Sequence, residues 1–188
     1  MASASIPVST SQVVVVNSDG GVHADVTACQ REGGAWISHI KPYRSTIGGG
    51  GVAPLGTKKE GDKKTPAGLY LLGDAFGTQP LALKMDYKYI TPEDKFIDDS
   101  AHKDYNCWVS GSTDAKSYEN MLIPSYRMGV VVNYNMNPII PGAGSAIFMH
   151  VWEAENKPSH GCITTDEKHM NALLQWLDKR QNPYVYIR

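Results

Sequence analysis

The sequence has no excess of charge. Its 18 Lys and Arg stand against 19 Asp and Glu, for a net charge of −1 at pH 7. So balanced a chain offers no global attraction to nucleic acid or to an anionic membrane, and neither is expected as a partner. Long apolar runs are also missing. The longest, Val13 to Val16, falls far short of the ~20 residues that cross a bilayer, so no transmembrane segment is expected. Cysteine is scarce and odd in number. Cys29, Cys107 and Cys162 allow at most one disulfide and leave at least one thiol over. A Cys29–Cys107 bridge is open to an exported protein, and two buried structural thiols is the plainer alternative. The first residues lack a basic start and an apolar stretch, so no export signal is expected in them; Met-Ala-Ser-Ala-Ser is compatible with a start that follows a removed signal. Repeats and long linkers are absent as well.

What is present fits one soluble globular domain over residues 1–188, with 41% apolar and 20% charged residues. Gln12 to Asn17 predicts a short strand closed by the turn cluster Ser18-Asp19-Gly20-Gly21. Trp36 to Ile40 predicts another, ended by Pro42. Ile47 to Gly51 holds four glycines in a row without the spacing of a phosphate-binding loop, which points to a tight or flexible turn. Lys58-Lys59 and Lys63-Lys64 are interleaved with Glu60 and Asp62 and read as a solvated loop. Thr65 to Leu72 reads as a turn entering a strand. Residues 85–107 read as irregular loop; the pair Asp98-Asp99 lacks the alternation of acids that a calcium loop requires.

The last third is the most patterned. Strands are expected at Tyr126 to Tyr134, at Ser145 to Trp152 as a central strand, and at Gly161 to Thr164. A helix follows, capped by Thr165 or Asp166. Met170, Leu173, Leu174 and Leu177 give it an apolar stripe, and Asn182-Pro183 stops it. Tyr184 to Ile187 is a closing strand. The fold class is therefore mainly β, with one long C-terminal helix packed on the sheet.

One constellation carries chemistry. A thiol is a nucleophile only as thiolate, and an adjacent imidazole can take its proton. His160 stands two positions before Cys162, on the same face if the stretch is extended, and His150 ends the preceding strand. Gly161 clears space beside the thiol, and the amides of Gly161 and Cys162 suit an oxyanion hole. Three other readings stand beside this one. Cys162 can be a small buried residue and His150 a satisfied core histidine. Zinc on His150, His160, Cys162 and His169 has the right ligand types but no metal-ligand spacing, and His169 fits a structural place on the helix flank. No metal or other cofactor is expected.

The segment Ser145-Ala146-Ile147-Phe148-Met149-His150-Val151-Trp152, followed by Pro158-Ser159-His160-Gly161-Cys162, resembles the YkuD-type L,D-transpeptidase catalytic domain, whose signature is a histidine, a spacer and Ser/Thr-His-Gly-Cys. Lys59 to Tyr70, Ile97-Asp98-Asp99, Tyr105-Asn106 and Glu119-Asn120-Met121 resemble further blocks of that domain, so the likeness covers most of residues 45–188 and leaves 1–44 outside it. The resemblance implies a β-sandwich or barrel. It implies Cys162 as nucleophile, His150 as general base, His160 as a flanking and orienting residue, Gly161 and Cys162 amides on the oxyanion, and Ser159 as organiser of the turn. It implies peptidoglycan stem peptides as partner, acylation of the thiol with loss of a terminal D-alanine, and transfer to an amine, in a periplasmic or otherwise extracytoplasmic location. Water as acceptor makes the same site an L,D-carboxypeptidase or amidase, and a non-catalytic wall-binding domain of this fold is the third possibility. The chain departs from the pattern in a shorter spacer before Ser159 and in Thr164, where many members carry Asn or Arg. Trp152, Tyr126, Arg127 and the loop near Asp98 are the further candidates for substrate contact.

Overall fold

The computed structural model describes residues 5–188; Met1 to Ala4, most of the opening read above as a start after a removed signal, lie outside the described residues. Among the described residues fourteen strands run β1 Gln12–Ser18, β2 His23–Glu32, β3 Ala35–Thr46, β4 Val52–Ala53, β5 Thr65–Pro66, β6 Gly68–Gly77, β7 Tyr87–Tyr89, β8 Asp94–Ile97, β9 Trp108–Ser110, β10 Tyr118–Asn120, β11 Met128–Val132, β12 Phe148–Val151, β13 Ile163–Thr165 and β14 Tyr184–Ile187. The single α-helix among the described residues, α1, is Glu167–Trp176. A nine-stranded sheet has the order β11-β12-β13-β3-β2-β1-β14-β6-β7, and a further pairing of β11 with β6 closes it into a barrel from which β7 hangs. The mainly-β expectation with one helix near the C-terminus holds, though that helix is ten residues and not long.

Valine dictates the barrel's start. In β1 the run Val13-Val14-Val15-Val16 is β-branched, and three of the four are buried, so the strand is a central one between β2 and β14. Most of the stretch that lay outside the resemblance is thus integral: from Gln12 onward, β1 to β3 supply three neighbouring staves. The helix forms where expected. Asp166 caps it by accepting from His169 N–H at 3.0 Å, and Met170, Leu173, Leu174 and Leu177 are fully buried against the barrel core.

Four expectations need correction. β3 does not end at Pro42 but runs to Thr46, because Pro42 falls where the β2–β3 register slips between Val26↔Tyr43 and Ala28↔Ile40, a bulge that tolerates a residue without an N–H, and β3 pairs with β13 only at Thr46↔Thr164. Residues 85–107 are not all loop. They hold β7 and β8, and β8 joins β9 and β10 in a three-stranded sheet. The central strand is Phe148–Val151 only, since Ala146 adopts a left-handed conformation (φ 52°) that breaks the extended run. The next strand begins at Ile163, because Gly161 has φ 141°.

Two apolar cores result. One fills the barrel beneath α1. The other, built from Phe76, Phe96, Tyr126, Phe148, Met121 and Cys162, lies between the barrel wall and the three-stranded sheet. Cys29 and Cys107 are half-buried and unbonded, so the proposed bridge between them is not formed.

Candidate active site

β12 and β13 run parallel with His150 opposite Thr164 and Met149 opposite Ile163. Alternation then sends Phe148, His150, Cys162 and Thr164 to one face of the sheet. That face opens into a cleft of about 620 Å³, lined among others by His150, Ser159, His160, Cys162, Thr164 and Tyr126. The cleft sits beside the weakest seam of the barrel, the single residue pair that joins β13 to β3.

Cys162 is buried, and its Sγ donates to the Ala146 carbonyl at 3.3 Å while accepting from Phe148 N–H at 3.4 Å. The acceptor is itself built. Ala146 N–H donates to Asn106 Oδ1 at 3.1 Å, and Asn106 Nδ2 donates to the Tyr134 and Asn135 carbonyls at 3.0 and 2.8 Å, which holds Ala146 in its strained conformation. Burial pushes the Cys162 thiol far up, the Glu119 carboxylate adds to this, and the Phe148 N–H opposes it weakly. The resting sulfur is therefore a thiol.

His150 is buried and its Nδ1 lies 2.9 Å from the Val151 carbonyl. A carbonyl only accepts, so Nδ1 carries the ring proton and Nε2 is the lone-pair nitrogen. Burial lowers this histidine to about 4 against the opposing backbone groups of Val151 and Ser125. Tyr126 packs its ring edge-on to the imidazole, 4.8 Å between centroids, and its hydroxyl donates to Glu119 Oε2 at 2.5 Å. Glu119 is pushed up by burial and by the neighbouring Asp98 and Glu60 carboxylates, while the Tyr126 hydrogen bond pulls it down.

Ser159 closes the turn before the thiol: its Oγ donates to the Cys162 carbonyl at 2.6 Å and accepts from Gly161 N–H at 3.0 Å. One of the two amides considered for an oxyanion is thereby occupied. Cys162 N–H, by contrast, finds no acceptor among the described residues. His160 does not share an extended strand with Cys162, because Gly161 intervenes with its positive φ; it is exposed on the cleft wall. Thr164 is buried at the cleft floor with its hydroxyl 2.5 Å from that of Thr46.

Two expected contacts lie elsewhere. Arg127 does not line the cleft; its guanidinium is taken by Glu167 at 2.9 Å and by the Pro124 carbonyl at 2.8 Å. Trp152 is also absent from the lining, as is His169, which bonds Asp166 and stacks on Tyr43. Among the described residues no His, Cys, Asp and Glu side chains gather in the manner of a metal site. The solvated-loop reading of Lys58 is wrong: Lys58 is buried, pairs with Asp62 at 2.7 Å and lines the cleft. Glu60, also on the wall, accepts from Tyr105 and Ser145 hydroxyls at 2.5 and 2.7 Å. In the sequence Glu119 stands only within a family-like block; nothing local marks it as sharing a cleft with a thiol.

Comparison with known proteins bears on this geometry. No curated protein matches the chain. Among solved structures, the helical cell shape determining protein Pgp2 from Campylobacter jejuni is similar, at 15% identity and a TM-score of 0.49. The match covers 95% of this chain and 47% of that one, so the chain spans about half the length of Pgp2. The family model for the L,D-transpeptidase catalytic domain, YkuD, matches residues 12–186, from the first stave of the barrel to the last. The chain belongs to the YkuD family of L,D-transpeptidase catalytic domains.

Proposed function

We propose that the protein is a cysteine acyltransferase that acts on peptidoglycan stem peptides through an acyl-enzyme on Cys162, with His150 as proton acceptor, outside the cytoplasm where that polymer lies. The observation that carries this reading is the placement of Cys162 and His150 on one face of two paired strands in a shared cleft, with the imidazole tautomer leaving Nε2 unprotonated. In the proposed step the sulfur attacks the peptide carbonyl and its proton passes to Nε2 of His150. The carbonyl oxygen takes the negative charge against Cys162 N–H. Collapse expels the amine of the terminal D-residue, which leaves with the proton from His150. A second amine, or water, then takes the acyl group by the reverse order of events. Membership of the family and the site geometry both support this chemistry.

The test is intact-mass analysis after incubation with a carbapenem, then with a tetrapeptide-containing muropeptide. Wild type is expected to gain one carbapenem mass and Cys162→Ala none, with the variant folded as judged by circular dichroism. A cross-linked dimer identifies an amine as acceptor, and tripeptide alone identifies water. Absence of both adduct and turnover in folded wild type overturns the reading in favour of a binding domain.

A further inference from the structure

Thr65 is fully buried, on β5, directly behind the turn that carries the thiol. Its hydroxyl makes two bonds at once. It accepts from Gly48 N–H at 2.9 Å and donates to the Gly161 carbonyl at 2.8 Å. The acceptor belongs to the peptide group that joins Gly161 to Cys162. A trans peptide is planar, with its C=O and N–H pointing in opposite directions. Fixing the Gly161 oxygen on Thr65 therefore fixes the Cys162 N–H pointing away from Thr65. That N–H is the one without an acceptor among the described residues, whereas Gly161 N–H is held by Ser159.

The surroundings are shaped to bring Thr65 this close. A Cβ on Gly48 would stand 2.2 Å from the Lys63 carbonyl oxygen, and one on Gly161 would stand 3.0 Å from the Lys64 carbonyl oxygen. Gly48 also bridges to Ser159, through Ser159 N–H to the Ile47 carbonyl at 3.0 Å and Gly49 N–H to the Ser159 carbonyl at 2.9 Å. Two backbones thus lie against the turn with no side chain between, and one hydroxyl pins them together.

We propose that Thr65 is a positioning residue that aims the Cys162 N–H at the developing oxyanion by anchoring the Gly161 carbonyl from behind. The proposal rests on the acyl-transfer reading given above. Thr65 touches no reacting atom. It acts on the direction of one donor, so its loss slows steps that create an oxyanion and spares steps that do not.

Three reagents and two substitutions test this. Thr65→Val removes the hydroxyl and keeps the shape; Thr65→Ser keeps the hydroxyl. Acylation by a carbapenem passes through an oxyanion, whereas alkylation of the thiol by iodoacetamide displaces iodide and forms none. Thr65→Val is expected to slow acylation about 10- to 100-fold, toward the loss caused by removing one oxyanion donor, and to leave iodoacetamide alkylation at the wild-type rate. On muropeptide the loss should fall on kcat with KM unchanged. Thr65→Ser is expected to restore acylation to within about threefold of wild type. Should Thr65→Val fail to fold, Thr65→Ala takes its place in the same comparison. Acylation at the wild-type rate in the hydroxyl-free variant overturns the proposal, as does a fall in acylation and alkylation together. If wild type is not acylated at all, the acyl-transfer reading fails by itself. Backbone ¹⁵N relaxation at Cys162 then decides the anchoring: a lower order parameter in the hydroxyl-free variant supports it, and an unchanged one overturns it.

Discussion

Acid should unfold this protein through His150 before it does so through most carboxylates. The imidazole is buried and neutral, and it is lowered from 6.5 to about 4. In the unfolded chain the same ring regains the ordinary value. Its folded value is depressed, so its contribution is fully present above pH 6.5 and is lost as pH falls toward 4. Between those limits the unfolded chain binds a proton there that the folded chain does not. The slope is about 1.4 kcal/mol per pH unit, which over this window amounts to about 3 kcal/mol. For a domain of this size that is a large share of the ~5–15 kcal/mol that separates folded from unfolded. Glu119 works in the opposite sense, since burial raises it, so a raw stability profile mixes the two. The measurement is urea unfolding of wild type and His150→Gln at intervals from pH 7.5 to 4. Subtracting the two profiles removes every group that titrates alike in both. The difference in favour of wild type should shrink by about 3 kcal/mol across the window. A difference that stays level within about 0.5 kcal/mol would refute the assignment of a buried, neutral imidazole.

Two further outcomes follow from particular contacts. Gly48→Ala places a methyl group 2.2 Å from the Lys63 carbonyl oxygen, a backbone atom with nowhere to go, and should cost roughly 3 kcal/mol in urea unfolding, with accelerated hydrogen exchange over residues 159–162. Asp94 is 2% exposed and accepts from Thr91 N–H, the Thr91 hydroxyl, Trp108 Nε1 and the Ser110 hydroxyl, with its carboxyl held down to about 2; Asp94→Asn turns a donor toward these donors and should cost about 2–3 kcal/mol, and the wild-type benefit, present above pH 3.8, should fade as pH falls through 2.

The parts of the fold that were legible in the sequence are those where one simple rule decides. The apolar spacing of Met170, Leu173, Leu174 and Leu177 fixes α1, and Asp166 begins it. The valine run fixes β1. Legibility fails where tertiary contacts override local rules. Pro42 looks like a terminator, yet it sits where the β2–β3 ladder slips register, in a bulge that the sequence does not announce. β8, β9 and β10 are three or four residues each, too short for a period, and their organiser is a buried aspartate that a sequence reader assigns to loop. Ala146 in the left-handed region leaves no trace in the sequence, since its conformation is enforced by Asn106 from 40 positions away. The site divides the same way. Cys162, His150 and Ser159 were legible as a block. Glu119 and Lys58 became cleft residues only through folding, and Arg127, a candidate for substrate contact, is taken by Glu167.

The electrostatics of that site constrain how the proposed reaction runs. A preformed thiolate–imidazolium pair requires a thiol pulled down and an imidazole pulled up. Here both move the other way, Cys162 upward and His150 down to about 4, because both are buried and the charge of Glu119 adds to the rise at sulfur more than either Phe148 N–H or Lys58 offsets it. The proton therefore belongs on sulfur until a carbonyl arrives, and moving it to His150 beforehand is uphill. Attack and proton transfer must then be drawn forward together by stabilisation of the charge that appears on the substrate oxygen. Without a standing thiolate–imidazolium pair, the donor that meets the charge on the substrate oxygen matters to the barrier, and Cys162 N–H is the candidate donor. That is why the hydroxyl behind the Gly161–Cys162 peptide, and not a charged neighbour of the thiol, is the place where a small change should be felt most.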